Sequence, residues 1–493
     1  MPLTWHSGQP SAPGTRASWG SDVLRWPVLG RFLRWRRART TLQLVLLVVA
    51  VAVLLHGFLG PQLAPKNLAT VATWVHYRGL LVIALLAAGN LFCTGCPFVL
   101  VRDAGRRAHR PTRTWPRWLR TKWIGLGLFV AVLFSYELFD LWALPGATAY
   151  LLLGYFGAAL AVDVVFKGAS LCKYLCPIGQ FNFAASTLSP LELQVRDMAT
   201  CRTCHTVDCI KGTRAPGSDR VVQRGCELGL YLPLKTGNLD CTFCLDCVQA
   251  CPHDNIALAM RTPGVELAET RRFSGIGRLA HRPDIAALAV LFAFGGLMNA
   301  FAMVGPFYRL EEWLSQAAGG LSEPPVLAAL FAVGLVGVPL TMITAAAAFT
   351  KRLAEPTSRS TWRIAVRYAY VLIPFGFGVW LAHYGFHFLT GALTIVPVTQ
   401  SAAIDVFGWP VLGDPLWRWT GMRPGSVYPI QLGFVLLGTL GSLALAYRIS
   451  EQDYPARAAR ATLPWSIVAI VLAVAALWMF STPMEMRGVR LGG

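Results

Sequence analysis

Charge is what this sequence has least of. Only 14% of its 493 residues are Asp, Glu, Lys or Arg, where a soluble domain carries about a quarter. Acids are the scarcer sign, 25 against 44 Lys and Arg, which leaves a formal net charge of +19. This shortage argues against a disordered chain and against an ordinary cytosolic enzyme. Cysteine is dilute as well: 12 residues over this length do not make a disulfide scaffold, so their clustering matters more than their number. No phosphate loop, activated nucleophile or hydrolytic constellation is present. Basic excess alone would suggest nucleic acid, but here it flanks apolar runs, and no nucleic-acid partner is expected.

What the chain has instead is apolar length. Hydrophobic residues make up 55%, there are 17 Trp, and the mean hydropathy is +0.49. That composition predicts a polytopic α-helical protein in a lipid bilayer. Spans of about 20 apolar residues are expected at nine places: 41–60, 79–100, 123–143, 147–167, 285–307, 325–350, 367–390, 429–447 and 464–481. The first follows a basic stretch. It is longer than a signal-peptide core and lacks a clean cleavage site, so it reads as a retained anchor. The weakest are the fourth, which contains Asp163, and the last, which is short.

Loop charges alternate. Residues 1–40 hold seven Arg against one acid, 101–122 holds eight basic residues against Asp103, and 351–367 holds five against Glu355. Segment 142–147 has no Lys or Arg, and 306–324 has Arg309 against Glu311, Glu312 and Glu323. The positive-inside rule then puts the N-terminus, 101–122, 168–284 and 351–367 in the cytoplasm of a bacterial inner membrane. Nine spans leave the C-terminus outside, where Arg487 and Arg490 against Glu485 mildly oppose that placement. Four regions follow: a basic cytoplasmic tail (1–40), four membrane helices (41–167), a cytoplasmic insert (168–284) and five membrane helices (285–493).

The insert carries the strongest motif. Cys241, Cys244, Cys247 and Cys251, followed by Pro252, form the C-x2-C-x2-C-x3-C-P run of bacterial ferredoxins. Three thiolates of such a run bind one [4Fe–4S] cube, and the fourth reaches the neighbouring cluster. A zinc ribbon, with two separated knuckles, has no use for the third Cys or the Pro. The partner motif is irregular: Cys201, Cys204 and Cys209 lack a local fourth, and Cys226 stands alone further on. Eight cysteines make two complete sets when ligands cross over. Cys201, Cys204 and Cys209 then join Cys251, and Cys241, Cys244 and Cys247 join Cys226. The insert is therefore expected to be an α+β ferredoxin domain of the two-cluster bacterial type. Cys201, Cys204 and His205 also match the c-type haem attachment sequence, but attachment occurs on the outer side, opposite to the side set by the loop charges. His205 and His253 otherwise read as polar neighbours of a cluster.

Four cysteines remain, Cys93 and Cys96 before Pro97 and Cys172 and Cys176 before Pro177. Each pair follows a span directed inward, and Pro after the second Cys breaks the helix. Three readings stand: a third thiolate metal or iron–sulfur site, a redox-active dithiol pair, or small packed cysteines.

Helices ending in CTGCP (93–97) and CKYLCP (172–177), followed by a cytoplasmic insert ending in CTFCLDCVQACP (241–252), resemble the membrane ferredoxins of the NapH, NosR and CcoG group. The layout is also similar to FesM-type membrane iron–sulfur proteins. The NapH-type resemblance covers roughly residues 40–260. It implies electron transfer between a quinone pool or cytoplasmic donors and other redox proteins. Cys241, Cys244, Cys247 and Cys251 match that group's motif closely, and Cys201, Cys204 and Cys209 match loosely because of the x4 spacing. It also implies redox subunits docking on the insert, with a quinone or cytochrome as the membrane-side partner. Two rivals are an assembly or metal-reductase factor resembling CcoG, and a redox-sensing or structural anchor of a larger complex.

Four histidines fall in or beside the spans: His56, His76, and the i, i+4 pair His383 and His387, which share one helical face. Three readings apply, namely an axial ligand to haem b, a hydrogen bond to a quinone carbonyl, or interfacial histidines bonded to loop carbonyls. Glu137, Asp140 and Asp163 are costly in lipid. The first two read as a proton relay or as interfacial acids, and Asp163 as a partner of Lys167. The Trp, Pro and Gly-rich segment 391–428 reads as an interfacial cap, a cavity lid or a docking surface.

Overall fold

The computed structural model describes residues 22–218, 220–354 and 359–483. Most of the basic tail including His6, together with Glu355, Glu485, Arg487 and Arg490, lies outside the described residues.

Nine apolar helices overlap the nine expected spans, the second of them only in part. They are α1 (Ala38–Leu59), α2 (Leu68–Ala88), α3 (Trp123–Leu138), α4 (Pro145–Val165), α5 (Pro283–Phe301), α6 (Glu323–Ala354), α7 (Thr361–Gly391), α8 (Pro424–Asp453) and α9 (Pro455–Ser481). Among the described residues, eight are long and apolar enough to cross a membrane, and α3 is shorter. The hydrophobic window of α7 is wholly buried, as befits a helix that is apolar all round. It packs on α2, α5 and α8. Small residues allow the closest approach: a Cβ on Gly378 would stand 2.5 Å from the Phe434 carbonyl oxygen, and one on Gly438 2.6 Å from that of Pro374.

The second span is displaced from its expected position, starting at Leu68 rather than residue 79. The Asn67 side chain caps it by accepting from the Ala69 N–H at 2.8 Å. A π-helical stretch over Val71–Tyr77 carries it into Arg78. Gly89, at φ +61, ends it. Arg78 and His76 therefore lie inside a span rather than at its start. Within 391–428 the chain forms a further apolar helix, Ile395–Phe407.

The insert contains two small antiparallel sheets. β1 (Leu191–Val195) pairs with β4 (Ile256–Met260), Leu191 opposite Met260 and Val195 opposite Ile256. β2 (Thr213–Arg214) pairs with β3 (Val221–Gln223). The first pairing brings together the chain just before Cys201 and the chain just after Cys251, so the eight cysteines from Cys201 to Cys251 lie within one closed loop. Buried ion pairs seat the insert on the membrane helices. Lys122 Nζ lies 2.5 Å from Asp240 Oδ1, Arg39 Nη1 2.7 Å from Asp246 Oδ2, and Arg102 and Arg106 reach Glu227 at 2.8 and 2.9 Å. The basic flank 101–122 thus does more than follow a charge rule, because its arginines clamp the insert.

Candidate redox site: three cysteine sets in a row

Cys201, Cys204, Cys209 and Cys251 line a single cavity together with His253 and Asn255. Asp197 caps the turn that carries Cys201, accepting from the Ala199 and Thr200 N–H groups at 3.1 and 3.0 Å. Asn255 serves two thiols: its Nδ2 donates to Cys201 Sγ at 3.3 Å and its backbone N to Cys251 Sγ at 3.4 Å. Burial, then the neighbouring Cys201, pushes the Cys209 thiol up to about 12.

Cys241, Cys244 and Cys247 form the second set. Cys226 is a close electrostatic neighbour of each, and the Cys226 N–H donates to the Cys209 carbonyl at 2.9 Å. The loop wraps tightly, with Phe243 and Leu245 at φ +49 and +62 on either side of Cys244. Non-glycine residues bear that cost of roughly 1–2 kcal/mol only where surroundings enforce it, typically at ligand clamps. Buried donors from α2's end fix the loop: Asn90 Nδ2 reaches the Cys241 carbonyl at 2.6 Å, and Thr94 Oγ1 the Phe243 carbonyl at 2.7 Å. Burial pushes the Cys241 thiol up to about 11.

The third set joins the two Cys-Pro motifs around one cavity lined by Cys93, Cys96, Cys172 and Cys176. The prolines open new helices as well as ending the old ones. Pro97 starts Pro97–Ala108 and Pro177 starts Pro177–Ala185, with Cys96 and Cys176 in the N-cap positions. Both helix N-termini therefore face thiols, an arrangement that favours thiolate. Gly179 N donates to Cys176 Sγ at 3.3 Å and Asn182 Nδ2 to Cys93 Sγ at 3.2 Å. Burial still pushes Cys93 and Cys176 up to about 12.

The donor chemistry fits iron–sulfur groups in the first two sets. Thiols set close together repel one another as thiolates, and a cationic iron core relieves that cost. Among the described residues, no three His, Cys, Asp or Glu side chains converge as a single-ion site. A cubane asks for something different, one thiolate at each iron corner around a larger centre.

The sets form a line. Cys209 neighbours Cys226, Cys244 of the second set also lines the third cavity, and Cys96 of the third set lines a large apolar cavity among the membrane helices.

The acids and histidines sort differently. Asp163 does not pair with Lys167. Its Oδ1 accepts from Leu171 N at 2.9 Å, its Oδ2 lies 3.6 Å from Arg102 Nη1, and Lys167 is exposed. Arg102 lies about a turn beyond Pro97 of the first Cys-Pro motif and reaches Asp163 on α4, a contact that local spacing does not reveal. Glu137 accepts from Asn299 Nδ2 at 3.2 Å. His56 Nε2 faces Asp405 at 3.2 Å while its Nδ1 accepts from Leu68 N at 3.0 Å. Both nitrogens of His76 face carbonyls, of Val71 and Ala392. His383 Nδ1 and Nε2 and His387 Nε2 are buried without a partner. Their rings sit 5.0 Å apart, edge to face, on one helix, so they cannot take opposite faces of one haem, and the other two imidazoles are engaged. A bis-histidine haem does not fit this arrangement.

Asn182, Asn255, Glu227 and Arg78 were not expected from the sequence. The first three carry no motif. Arg78 had a signal, an arginine within an apolar run, which is hidden when the span is started at 79.

No family model, no curated protein and no solved structure matches the chain.

Proposed function

We propose that the protein is a membrane-bound electron carrier that links a cytoplasmic redox partner to the quinone pool or an associated cytochrome. The observation that carries this reading is the single cavity lined by Cys201, Cys204, Cys209 and Cys251, to which Cys251 crosses over from the run of Cys241, Cys244 and Cys247. Cys201, Cys204, Cys209 and Cys251 would hold one [4Fe–4S] cluster, and Cys226, Cys241, Cys244 and Cys247 the other. Bound there, such clusters take up and release single electrons. Cys93, Cys96, Cys172 and Cys176 form a third thiolate site for a metal or iron–sulfur group. Asn255 and Asn182 donate to sulfur and so tune the potential of whatever their thiolates bind. The first set lies nearest solvent, beside exposed Arg202, Thr203 and His205, which suits docking of a soluble partner or redox subunit. The insert and basic flanks are assigned to the cytoplasmic side of a bacterial inner membrane, from the loop charges. The resemblance to the NapH, NosR and CcoG group points the same way.

In nanodiscs, the anaerobic protein, reduced with dithionite and freed of the excess, is expected to pass its stored electrons to a short-chain quinone analogue and to reoxidise as it does so. Reduced clusters that persist unchanged in the presence of the quinone would contradict the reading.

A further inference from the structure

The geometry points to a binding site for a lipid-soluble quinone in the membrane cavity that borders Cys96, with Arg78 as the head-group donor. This rests on the proposed function and names where its membrane-side substrate binds.

The cavity measures about 260 Å³ and lies between α1, α2, α3, α4 and α7. One end is aliphatic, built from Val49, Ala50, Val53 and Leu152. Val49 is also 50% exposed on the outer surface of α1, so this end reaches the lipid face. The other end is aromatic and cationic. The Arg78 guanidinium lies 4.1 Å from the Trp74 ring centre, 4.3 Å from Tyr136 and 4.9 Å from Tyr384. Three rings cover the guanidinium, Tyr136 also hydrogen-bonds it through its side chain, and no salt bridge to a carboxylate is found among the described residues. An intramembrane arginine held by rings instead of an acid still needs acceptors for its N–H edge. A quinone carbonyl is an acceptor that brings no charge into the bilayer.

Two further features favour a quinone over a lipid tail. Cys96 lines both this cavity and the third cysteine cavity, and Tyr77, Phe92, Phe98 and Ile178 form the wall between them. A ligand here therefore touches the end of the cysteine line, where a redox-active molecule has a use and an acyl chain has none. The π-helical stretch Val71–Tyr77 leads directly into Arg78, and such stretches recur at functional sites because the wider turn re-aims side chains. The site is thus at Arg78 rather than on the unpartnered imidazoles of His383 and His387.

The test uses full-length protein in nanodiscs and a photoreactive azido-ubiquinone with a short isoprenoid tail. Labelling is expected on the segments around residues 72–81 and 148–155, and excess decylubiquinone should suppress it. Arg78→Gln should weaken the competing affinity about tenfold to a hundredfold, the loss of one charged hydrogen bond. Ala72→Trp, which fills the cavity without touching the cation, should abolish the label. Iron content and the reduced EPR signals, recorded on the same preparations, show whether each variant is folded. Label elsewhere, label unchanged in both folded variants, or a phospholipid that decylubiquinone cannot displace would each overturn the site. A labelled protein that holds no clusters would leave the quinone site standing and remove the proposed electron carrier.

Discussion

Replacement of Cys226 by alanine is expected to remove one of two reduced-cluster EPR signals completely and to leave the other intact. Cys226 stands 15 residues before Cys241, outside any recognisable motif, so local spacing gives no reason for such an effect. The fold does. Cys226 is an electrostatic neighbour of Cys241, Cys244 and Cys247, while Cys251, the last residue of their own run, opens onto the cavity of Cys201, Cys204 and Cys209. The reciprocal variant, Cys204→Ala, should remove the other signal. A serine at 226, which preserves size, should still lose or strongly alter the same cluster. Loss of neither signal in Cys226→Ala, or loss of the same signal in both alanine variants, would refute the crossed assignment.

The second large effect concerns Arg102, whose side chain is 2% exposed and meets Asp103 at 2.7 Å, Glu227 at 2.8 Å and Asp163 at 3.6 Å. Arg102→Leu leaves buried Asp163 and half-buried Asp103 and Glu227 with less compensation. Breaking a buried pair in this way costs about 3–5 kcal/mol, and thermal unfolding in nanodiscs should show a clear loss. The pH dependence supplies the sign. Burial alone would raise the Glu227 carboxyl, but Arg102, Arg224 and Arg106 outweigh it and hold the group at about 2 instead of its ordinary 4.5. A depressed carboxylate adds stability above its unfolded value and loses it as pH falls. That shift corresponds to about 3 kcal/mol. The wild-type protein should therefore lose stability progressively between about pH 4.5 and 2. In Arg102→Leu the acid-side loss should begin at higher pH, because Glu227 is then less strongly held. An unchanged acid limb would show that the clamp contributes nothing.

Much of this was legible in the residues. Apolar length alone located nine helices, since burial in lipid leaves a sequence little freedom to disguise a span. The error at α2 came from starting the span at residue 79, which left Arg78 outside it. Its charge is instead tolerated at depth by Trp74, Tyr136 and Tyr384, two of which belong to other helices. The pairing of Asp163 failed for a related reason: Lys167 is the neighbour in sequence, but Arg102 is the neighbour in space. Spacing carried the Cys241 to Cys251 run because four thiolates around one centre require a tight turn. It could not bring the two Cys-Pro motifs together. That meeting depends on how the ends of α2 and α4 converge, which no local pattern encodes. Asn182 and Asn255 were silent because an asparagine that donates to sulfur looks like any other until the fold aims it.

The most direct test of the central claim is iron and acid-labile sulfide analysis of anaerobically purified protein, read with EPR of the dithionite-reduced sample. The account expects iron and sulfide in equal amounts, sufficient for at least two cubanes per chain, and two distinct rhombic signals from the reduced clusters. Zinc in place of iron, or iron without sulfide, would contradict it.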